Sequence, residues 1–135
     1  MPLANYEGIQ YGLYNKGGYY KHHYDFADPA WGQGVNNFLN RGGQRVLTFL
    51  MYLNTLDEDA GGETIFPNHN PPLTFRPTQG LCLVFYNVET EIQEDGTPVF
   101  SEKCDYSTGH SAEPILKDGV QKNIATQWIR AQTFV

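Results

Sequence analysis

Residues 45–53, RVLTFLMYL, decide the fold class. The stretch is rich in Val, Leu, Phe and Tyr, which strands favour, and it contains neither Gly nor Pro. NRGG at 40–43 precedes it, and DEDAGG at 57–62 follows it. Because Gly, Asn and Asp are the residues that tight turns require, the stretch predicts a strand enclosed by turns.

The same alternation of strand-like segments and turn formers continues outward along the chain. About eight short strands predict a mainly β protein, a sandwich or a barrel. Only residues 31–40 are compatible with a turn of helix, and their two glycines disfavour it. The acidic stretch 87–105 is predicted to be a solvated long loop or hairpin rather than a lid. The predicted strands are roughly 8–14, 18–26, 45–53, 63–66, 73–76, 80–86, 106–112 and 123–130.

Composition excludes several classes of protein. A chain of 135 residues is long enough for one domain with one core. The net charge of -6 and the sequence pI near 5.0 disfavour nucleic acid as a partner. No apolar stretch approaches the length of a membrane span, and the N-terminal residues do not resemble a signal peptide. We therefore expect a soluble, cytoplasmic protein with no membrane partner.

The stretch HHYDF, residues 22–26, carries the most chemistry. On a strand, His23 and Asp25 leave on the same face, so an imidazole and a carboxylate converge. The third ligand of a metal site would be His110, in the strand-like YSTGHSAEP, in preference to His69, in a turn-rich segment. Two His and one carboxylate suit ferrous iron with open coordination positions, whereas zinc more often takes a closed or three-His site.

A resemblance to a known family extends from about residue 6 to residue 130. Its segments, in order, are EGIQYGLYNKGGYYKHHYDF, GGQRVLTFLMYLN, GGETIFP, RPTQGLCLVFYN and HSAEPILKDGVQKNIATQWIR. Together they resemble the catalytic domain of the prolyl 4-hydroxylases, which are Fe(II)- and 2-oxoglutarate-dependent dioxygenases. The resemblance implies a double-stranded β-helix, or jelly roll, formed by residues 1–135 as a single domain. The family's preceding helical region has no counterpart here, and an uncovered apolar sheet face would favour a homodimer.

The resemblance also implies a role for each matching residue. The iron ligands would be His23, Asp25 and His110. Lys122 would pair with the far carboxylate of 2-oxoglutarate, since that carboxylate needs a cation in the pocket. The remaining matches are Tyr14 and Thr64 for the same carboxylate and Tyr20, Arg45 and Trp128 for the substrate groove. The segment around Trp31 is predicted to be a flexible loop over the substrate.

The implied reaction is hydroxylation of prolyl residues in a peptide or protein, with Fe(II), 2-oxoglutarate and O2 as cofactor and cosubstrates and ascorbate as reductant. An aromatic groove suits a proline-rich peptide, because a polyproline II chain presents apolar rings at low ordering cost. Three alternatives stay open: the same chemistry on a free amino acid or another side chain, a non-catalytic jelly-roll binding module, and a hydrolytic zinc site.

Overall fold

The computed structural model describes residues 1–135 and is built mainly from strands. Ten strands are joined by turns and longer loops, and helix is confined to one short α-helix, α1 (Val35–Leu39), and three 3-10 helices. The 3-10 helices are Leu3–Asn5, Pro29–Trp31 and Tyr106–Thr108. The strands are β1 (Gln10–Tyr14), β2 (Tyr20–His23), β3 (Arg45–Tyr52), β4 (Thr64–Phe66), β5 (Leu73–Phe75), β6 (Cys82–Tyr86), β7 (Val88–Ile92), β8 (Pro98–Cys104), β9 (His110–Ala112) and β10 (Lys122–Arg130).

The strands form two four-stranded antiparallel sheets. The major sheet has the order β1-β10-β3-β6, and the minor sheet has the order β2-β9-β4-β5. Strands from opposite ends of the chain are neighbours in both sheets, as in a jelly roll. The remaining strands, β7 and β8, form a separate hairpin. The predicted fold class, a mainly β jelly roll, is confirmed.

The apolar core lies between the two sheets. Leu50 and Tyr52 of β3 pack with Leu83 of β6 on one side and with Phe66 of β4 on the other. Along β3 the even-numbered side chains are buried and the odd-numbered ones are more exposed, which is the period-two pattern of a strand with one covered face. Each fully buried large apolar side chain of this kind contributes roughly 1.5–3 kcal/mol to folding.

Several predicted boundaries need correction. The strand predicted at 18–26 ends at His23, so Asp25 lies beyond it rather than on it. Residues 106–108 form a 3-10 helix, and only 110–112 are extended. The segment around Trp31, predicted to be a loop, is helical in part, because the Asp28 carboxylate caps the 3-10 helix Pro29–Trp31 by accepting from the Ala30 N–H. The hairpin that was one of two forms predicted for 87–105 is confirmed.

The outer face of the major sheet is uncovered. Tyr11, Met51 and Val84 project from neighbouring strands on the side opposite the core, and each is exposed. This agrees with the expected apolar surface. No helix of the structure has the length and apolar character that a membrane crossing requires.

Candidate active site

Strand register brings two histidines together at one end of the minor sheet. In the pairing of β2 with β9, His23 lies directly opposite His110. Asp25 follows two residues after β2, and its Oδ1 lies 3.5 Å from Nε2 of His23 and 3.8 Å from Nε2 of His110. One ligand atom from each residue lies within 4.8 Å of the others. The structure thus brings the three predicted metal ligands together and leaves His69 outside the group.

Backbone carbonyls orient both imidazoles. Nδ1 of His23 lies 2.8 Å from the Lys21 carbonyl oxygen, and Nδ1 of His110 lies 2.8 Å from that of Thr108. Because a carbonyl oxygen only accepts, each Nδ1 carries a proton, and each ring turns its Nε2 toward Asp25. Two imidazole nitrogens and a carboxylate oxygen thus converge on one point, where a metal ion would contact all three.

The ionisation of the buried groups supports the same conclusion. Burial acts to raise the pKa of Asp25, but the adjacent His23 and His110 side chains and hydrogen bonds from Trp128 and Thr48 lower it to about 2. Burial lowers the pKa of His110, which the Asp25 carboxylate opposes only in part. Asp25 is therefore an anion and His110 is neutral near pH 7, the states in which both bind metals.

A cavity of about 680 Å³ opens beside these three residues and extends into the molecule. At its inner part lies Lys122, the first residue of β10, which is only 2% exposed. The cavity is also lined by every other residue predicted for 2-oxoglutarate or substrate. These are Tyr14, Thr64, Tyr20, Arg45 and Trp128.

Lys122 is a buried cation without an anionic partner. Its Nζ donates to the Gly62 carbonyl oxygen over 2.7 Å, and none of the ion pairs in the structure includes it. Burial lowers its pKa to about 8, and the charge of Glu63 opposes the shift in part. Since an unpaired buried charge is costly, this ammonium favours an anion in the cavity.

Two hydroxyl groups accompany Lys122. Tyr14 lies opposite Lys122 in the register of β1 with β10, and its ring centroid is 5.3 Å from Nζ. The Thr64 hydroxyl accepts from the Tyr52 hydroxyl over 2.5 Å, which leaves its own proton free to donate. Burial and the charge of Tyr20 raise the pKa of Tyr14, so that this hydroxyl also remains a donor near pH 7.

The three residues predicted for substrate surround the mouth of the cavity. The Tyr20 ring packs on His23 with centroids 4.1 Å apart, and half of its surface is exposed. Arg45 lies over the Trp128 ring, with 3.7 Å from Cζ to the centroid. Its guanidinium is not free, because Nε and one terminal nitrogen donate to the Glu7 carboxylate over 2.7 and 2.9 Å. Trp128 donates from Nε1 to Asp25 Oδ2 over 3.0 Å.

Sequence reasoning missed the residues that support this site. The Glu7 carboxylate accepts hydrogen bonds from both Arg45 and Arg130. Thr48 donates to Asp25, and Asn87 donates to Thr48, so the hydrogen bonds of Asp25 continue into the core. A signal was present for Thr48, because it occupies an inward position of β3 between apolar residues. No comparable pattern marks Glu7 or Asn87.

The donor set fits a ferrous ion. Two imidazole nitrogens and one carboxylate oxygen that share one side of a site form the two-His-one-carboxylate arrangement of non-haem Fe(II) oxygenases. The second nitrogen of each ring is already bonded to a carbonyl, which is the usual outer-shell support of a metal-bound histidine.

Comparison with known families decides the class. Residues 9–130 match the family model of the 2OG-Fe(II) oxygenase superfamily. The chain belongs to this superfamily. The match includes the strands of both sheets and all the residues of the candidate site.

Two proteins that are similar to this chain in sequence carry the name prolyl 4-hydroxylase. The chain is 35% identical over 134 residues to a putative prolyl 4-hydroxylase of Acanthamoeba polyphaga mimivirus and 31% identical over 137 residues to prolyl 4-hydroxylase subunit alpha-1 of Homo sapiens. The alignments cover 99% of this chain in both cases, but 49% of the viral protein and 22% of the human one. The oxygenase chain thus spans about half or less of these relatives.

A solved structure supports the fold. The viral collagen prolyl hydroxylase of Paramecium Bursaria Chlorella virus-1, in its 2OG complex, superposes with a TM-score of 0.71 at 32% identity. The superposition covers 94% of this oxygenase and 60% of the viral chain. A prolyl-4-hydroxylase of Pseudomonas putida, at 20% identity and a TM-score of 0.57, shares the fold.

Proposed function

We propose that this oxygenase hydroxylates prolyl residues of a peptide or protein with Fe(II), 2-oxoglutarate and O2. One observation carries the proposal: a single cavity holds a two-His-one-carboxylate group and a buried lysine that has no anionic partner. A metal site alone would not select 2-oxoglutarate, and a buried lysine alone would not select iron. Together they match a molecule that chelates a metal at one end and carries a carboxylate at the other.

In this proposal His23, Asp25 and His110 hold the ferrous ion. When bound, the ion supplies the redox chemistry by which O2 and 2-oxoglutarate give succinate, CO2 and a hydroxylated C–H bond of the substrate. One oxygen atom enters succinate and the other enters the substrate, so the reaction balances without another oxidant.

The protein's own groups bind and orient the cosubstrate. The Lys122 ammonium binds the far carboxylate by a charge-assisted hydrogen bond, and the Tyr14 and Thr64 hydroxyls donate to its oxygens. Strand register and burial already hold all three groups in their positions before the ligand binds. Little ordering cost is then left for binding.

A proline-containing peptide is the proposed substrate. The names of the relatives support it, and so does the aromatic mouth formed by Tyr20 and Trp128, since proline rings pack on aromatic side chains. Arg45 lies at the same mouth, but its guanidinium is bonded to Glu7. We therefore propose that Arg45 contributes to the groove mainly by holding the Trp128 ring in place.

The decisive test is peptide-dependent succinate formation. The protein is purified anaerobically and supplied with Fe(II), 2-oxoglutarate, ascorbate as the proposed reductant and a proline-rich peptide. Mass spectrometry then locates the added oxygen. Lys122→Met and His23→Ala are expected to abolish most turnover. Lys117→Met is the matched control, because Lys117 pairs with Asp59 outside the cavity.

Three outcomes would contradict the proposal. Absence of succinate with every proline-containing peptide, although Fe(II) and 2-oxoglutarate bind, would exclude a peptidyl-proline substrate. Absence of Fe(II) binding would exclude the metal site itself. Equal loss in Lys117→Met and Lys122→Met would show that charge removal, rather than the cavity, is responsible.

We also propose that a second copy of the oxygenase covers the outer face of the major sheet. The exposed apolar side chains of Met51 and Val84, on the neighbouring strands β3 and β6, support a homodimer, because exposed apolar surface marks interaction sites. Sedimentation velocity tests it: Val84→Lys should convert a dimer to a monomer. A monomeric wild-type protein at all concentrations would refute it.

A further inference from the structure

The two oxygens of the Asp25 carboxylate have different surroundings. Oδ1 faces Nε2 of both histidines. Oδ2 faces the other way and accepts two hydrogen bonds, one from the Thr48 hydroxyl over 2.8 Å and one from Trp128 Nε1 over 3.0 Å. Asp25 is 5% exposed, so water does not compete for Oδ2. One oxygen is therefore available to a metal and the other is occupied by the protein.

The Thr48 bond continues to a buried amide. Asn87 donates from Nδ2 to the Thr48 hydroxyl oxygen over 2.8 Å. The direction of the chain is determined chemically: a carboxylate only accepts, so Thr48 donates its single proton to Asp25 and its oxygen accepts from Asn87. The chain thus runs from Asn87 to Thr48 to Asp25.

The Asn87 side chain leaves one polar atom without a partner. Its Oδ1 is the one buried side-chain nitrogen or oxygen in the structure that makes no hydrogen bond, and the residue is 0% exposed. Turning the amide over would not help, because its oxygen would then face a hydroxyl whose proton already belongs to Asp25. The amide keeps the orientation in which its nitrogen donates to Thr48, although its oxygen then has no partner. A buried polar atom without a hydrogen bond is rare and requires an explanation.

The second donor to Asp25 is also fixed. The Trp128 ring lies under the Arg45 guanidinium, which the Glu7 carboxylate holds by two hydrogen bonds. Arg130 also donates to the Glu7 carboxylate, from its Nε over 2.7 Å. The stacked guanidinium therefore holds the indole ring, and with it the N–H that donates to Asp25, in place.

We propose that Asn87, Thr48 and Trp128 are positioning residues that keep Asp25 a one-oxygen metal ligand. Carboxylates bind metals through one oxygen or through both. If Oδ2 turned to the metal, it would occupy a coordination position that 2-oxoglutarate or O2 requires in the proposed reaction. Two donors on Oδ2 prevent this turn, and the orientation of the Asn87 amide secures the first of them. The inference rests on the metal site of the proposed function.

The test uses Co(II) and 2-oxoglutarate as probes of the whole protein, without turnover. Thr48→Val removes the hydroxyl at nearly constant shape, Thr48→Ser retains it, and Trp128→Phe removes only the second donor. Outer-shell partners of this kind typically change metal affinity by about 10- to 100-fold. We expect Thr48→Val to change Co(II) affinity by about this factor and to weaken 2-oxoglutarate binding to the Co(II) protein, with Thr48→Ser close to wild type.

A matched control separates this role from general packing. Thr126 is buried on the inner face of β10, next to Leu50 of β3; it lines the same cavity, but its hydroxyl makes no bond to Asp25. Thr126→Val should leave Co(II) affinity and the visible spectrum of bound Co(II) unchanged. Thr48→Val should change that spectrum, since a second carboxylate oxygen enters the ligand set. A role in packing alone would not move the spectrum.

The outcomes separate the inference from the proposed function. Wild-type affinity for Co(II) and 2-oxoglutarate in both Thr48→Val and Trp128→Phe would overturn the inference and leave the metal site standing. Failure of the wild-type protein to bind Co(II) would overturn the metal site and the inference with it. If Thr48→Val does not fold, Trp128→Phe decides alone, because it removes the indole N–H and still offers Arg45 an aromatic ring.

Discussion

Lys122 shows how one residue combines a cost for folding with a use in binding. Its ammonium is buried against a single carbonyl oxygen, and its aliphatic chain passes the Gly62 backbone. A buried charge of this kind destabilises the ligand-free protein, because water no longer solvates it. An anion in the cavity would reverse that cost, so Lys122 links stability to occupancy.

Lys122→Met should therefore separate binding from stability. The neutral side chain has nearly the same length, so 2-oxoglutarate affinity is expected to fall by about 10- to 100-fold, the value of one charge-assisted hydrogen bond. The free energy of unfolding of the ligand-free variant should be at least that of the wild type, since a buried charge is gone. Isothermal titration calorimetry and urea unfolding measure the two quantities. Unchanged affinity would remove Lys122 from the binding site.

The pKa of Lys122 predicts a pH dependence of the same affinity. Burial lowers that pKa to about 8, so the ligand-free site is charged below pH 8 and progressively neutral above it. An anion binds the charged form, so 2-oxoglutarate affinity should be constant below pH 8 and fall by about tenfold for each pH unit above it. Titration calorimetry between pH 6.5 and 9.5 would measure this fall in 2-oxoglutarate affinity. A flat profile would show that Lys122 does not contact the ligand, and Lys122→Met should be flat.

Among the structural elements, the turn before β4 determines the position of β4 in the minor sheet. Gly61 and Gly62 both have positive φ angles, 74° and 81°, which side chains other than glycine rarely adopt. Gly61 also forms a bridge with Ile115, and a Cβ on Gly61 would overlap the Pro114 carbonyl oxygen. This close backbone contact fixes β4 against the segment that follows β9.

Gly61→Ala should therefore destabilise the protein more than the backbone angle alone explains. Gly119 has the same φ of 74°, but a Cβ there would meet no atom within 4 Å, so Gly119→Ala is the matched control. The control should cost about 1–2 kcal/mol for the left-handed conformation, whereas Gly61→Ala should cost roughly 3 kcal/mol or more. Urea unfolding measures both. Equal costs would show that the Pro114 contact has no influence.

At the scale of the whole molecule, the candidate metal site connects residues that are distant in the chain. His23 and His110 come from neighbouring strands of the minor sheet, and Asp25 is bonded to Thr48 and Trp128 of the major sheet. A metal ion bound to the first three residues would stabilise the folded chain as a unit, because the unfolded chain does not assemble the site.

Metal addition should accordingly raise the thermal midpoint. At a Co(II) concentration about 100-fold above the Kd, the stabilisation is about 2.7 kcal/mol, which corresponds to an increase of roughly 10 °C for a domain of this size. Differential scanning fluorimetry with Co(II) and then with excess EDTA would measure and reverse the shift. His110→Ala should show little shift. An equal shift in wild type and variant would place the bound metal elsewhere.

The sequence by itself determined the strands, the turns between them and the order of the motifs, because propensity, alternation and turn chemistry act over a few residues. This local information was sufficient for β3 and left a loop or a hairpin open for residues 87–105, whereas Lys122 was predicted only through the resemblance to a known family. The local information was insufficient at the end of β2 and around Trp31, where side-chain caps and aromatic packing override the pattern.

Only the tertiary structure decided how those residues face one another. The register of β2 with β9 sets His23 opposite His110, and the bonds to Asp25 come from residues 23 and 103 positions away in the chain. The burial of Lys122 and the unpartnered oxygen of Asn87 are likewise products of packing. The physical reason is that register and burial depend on the whole set of strand pairings, whereas a sequence pattern reports only its neighbours.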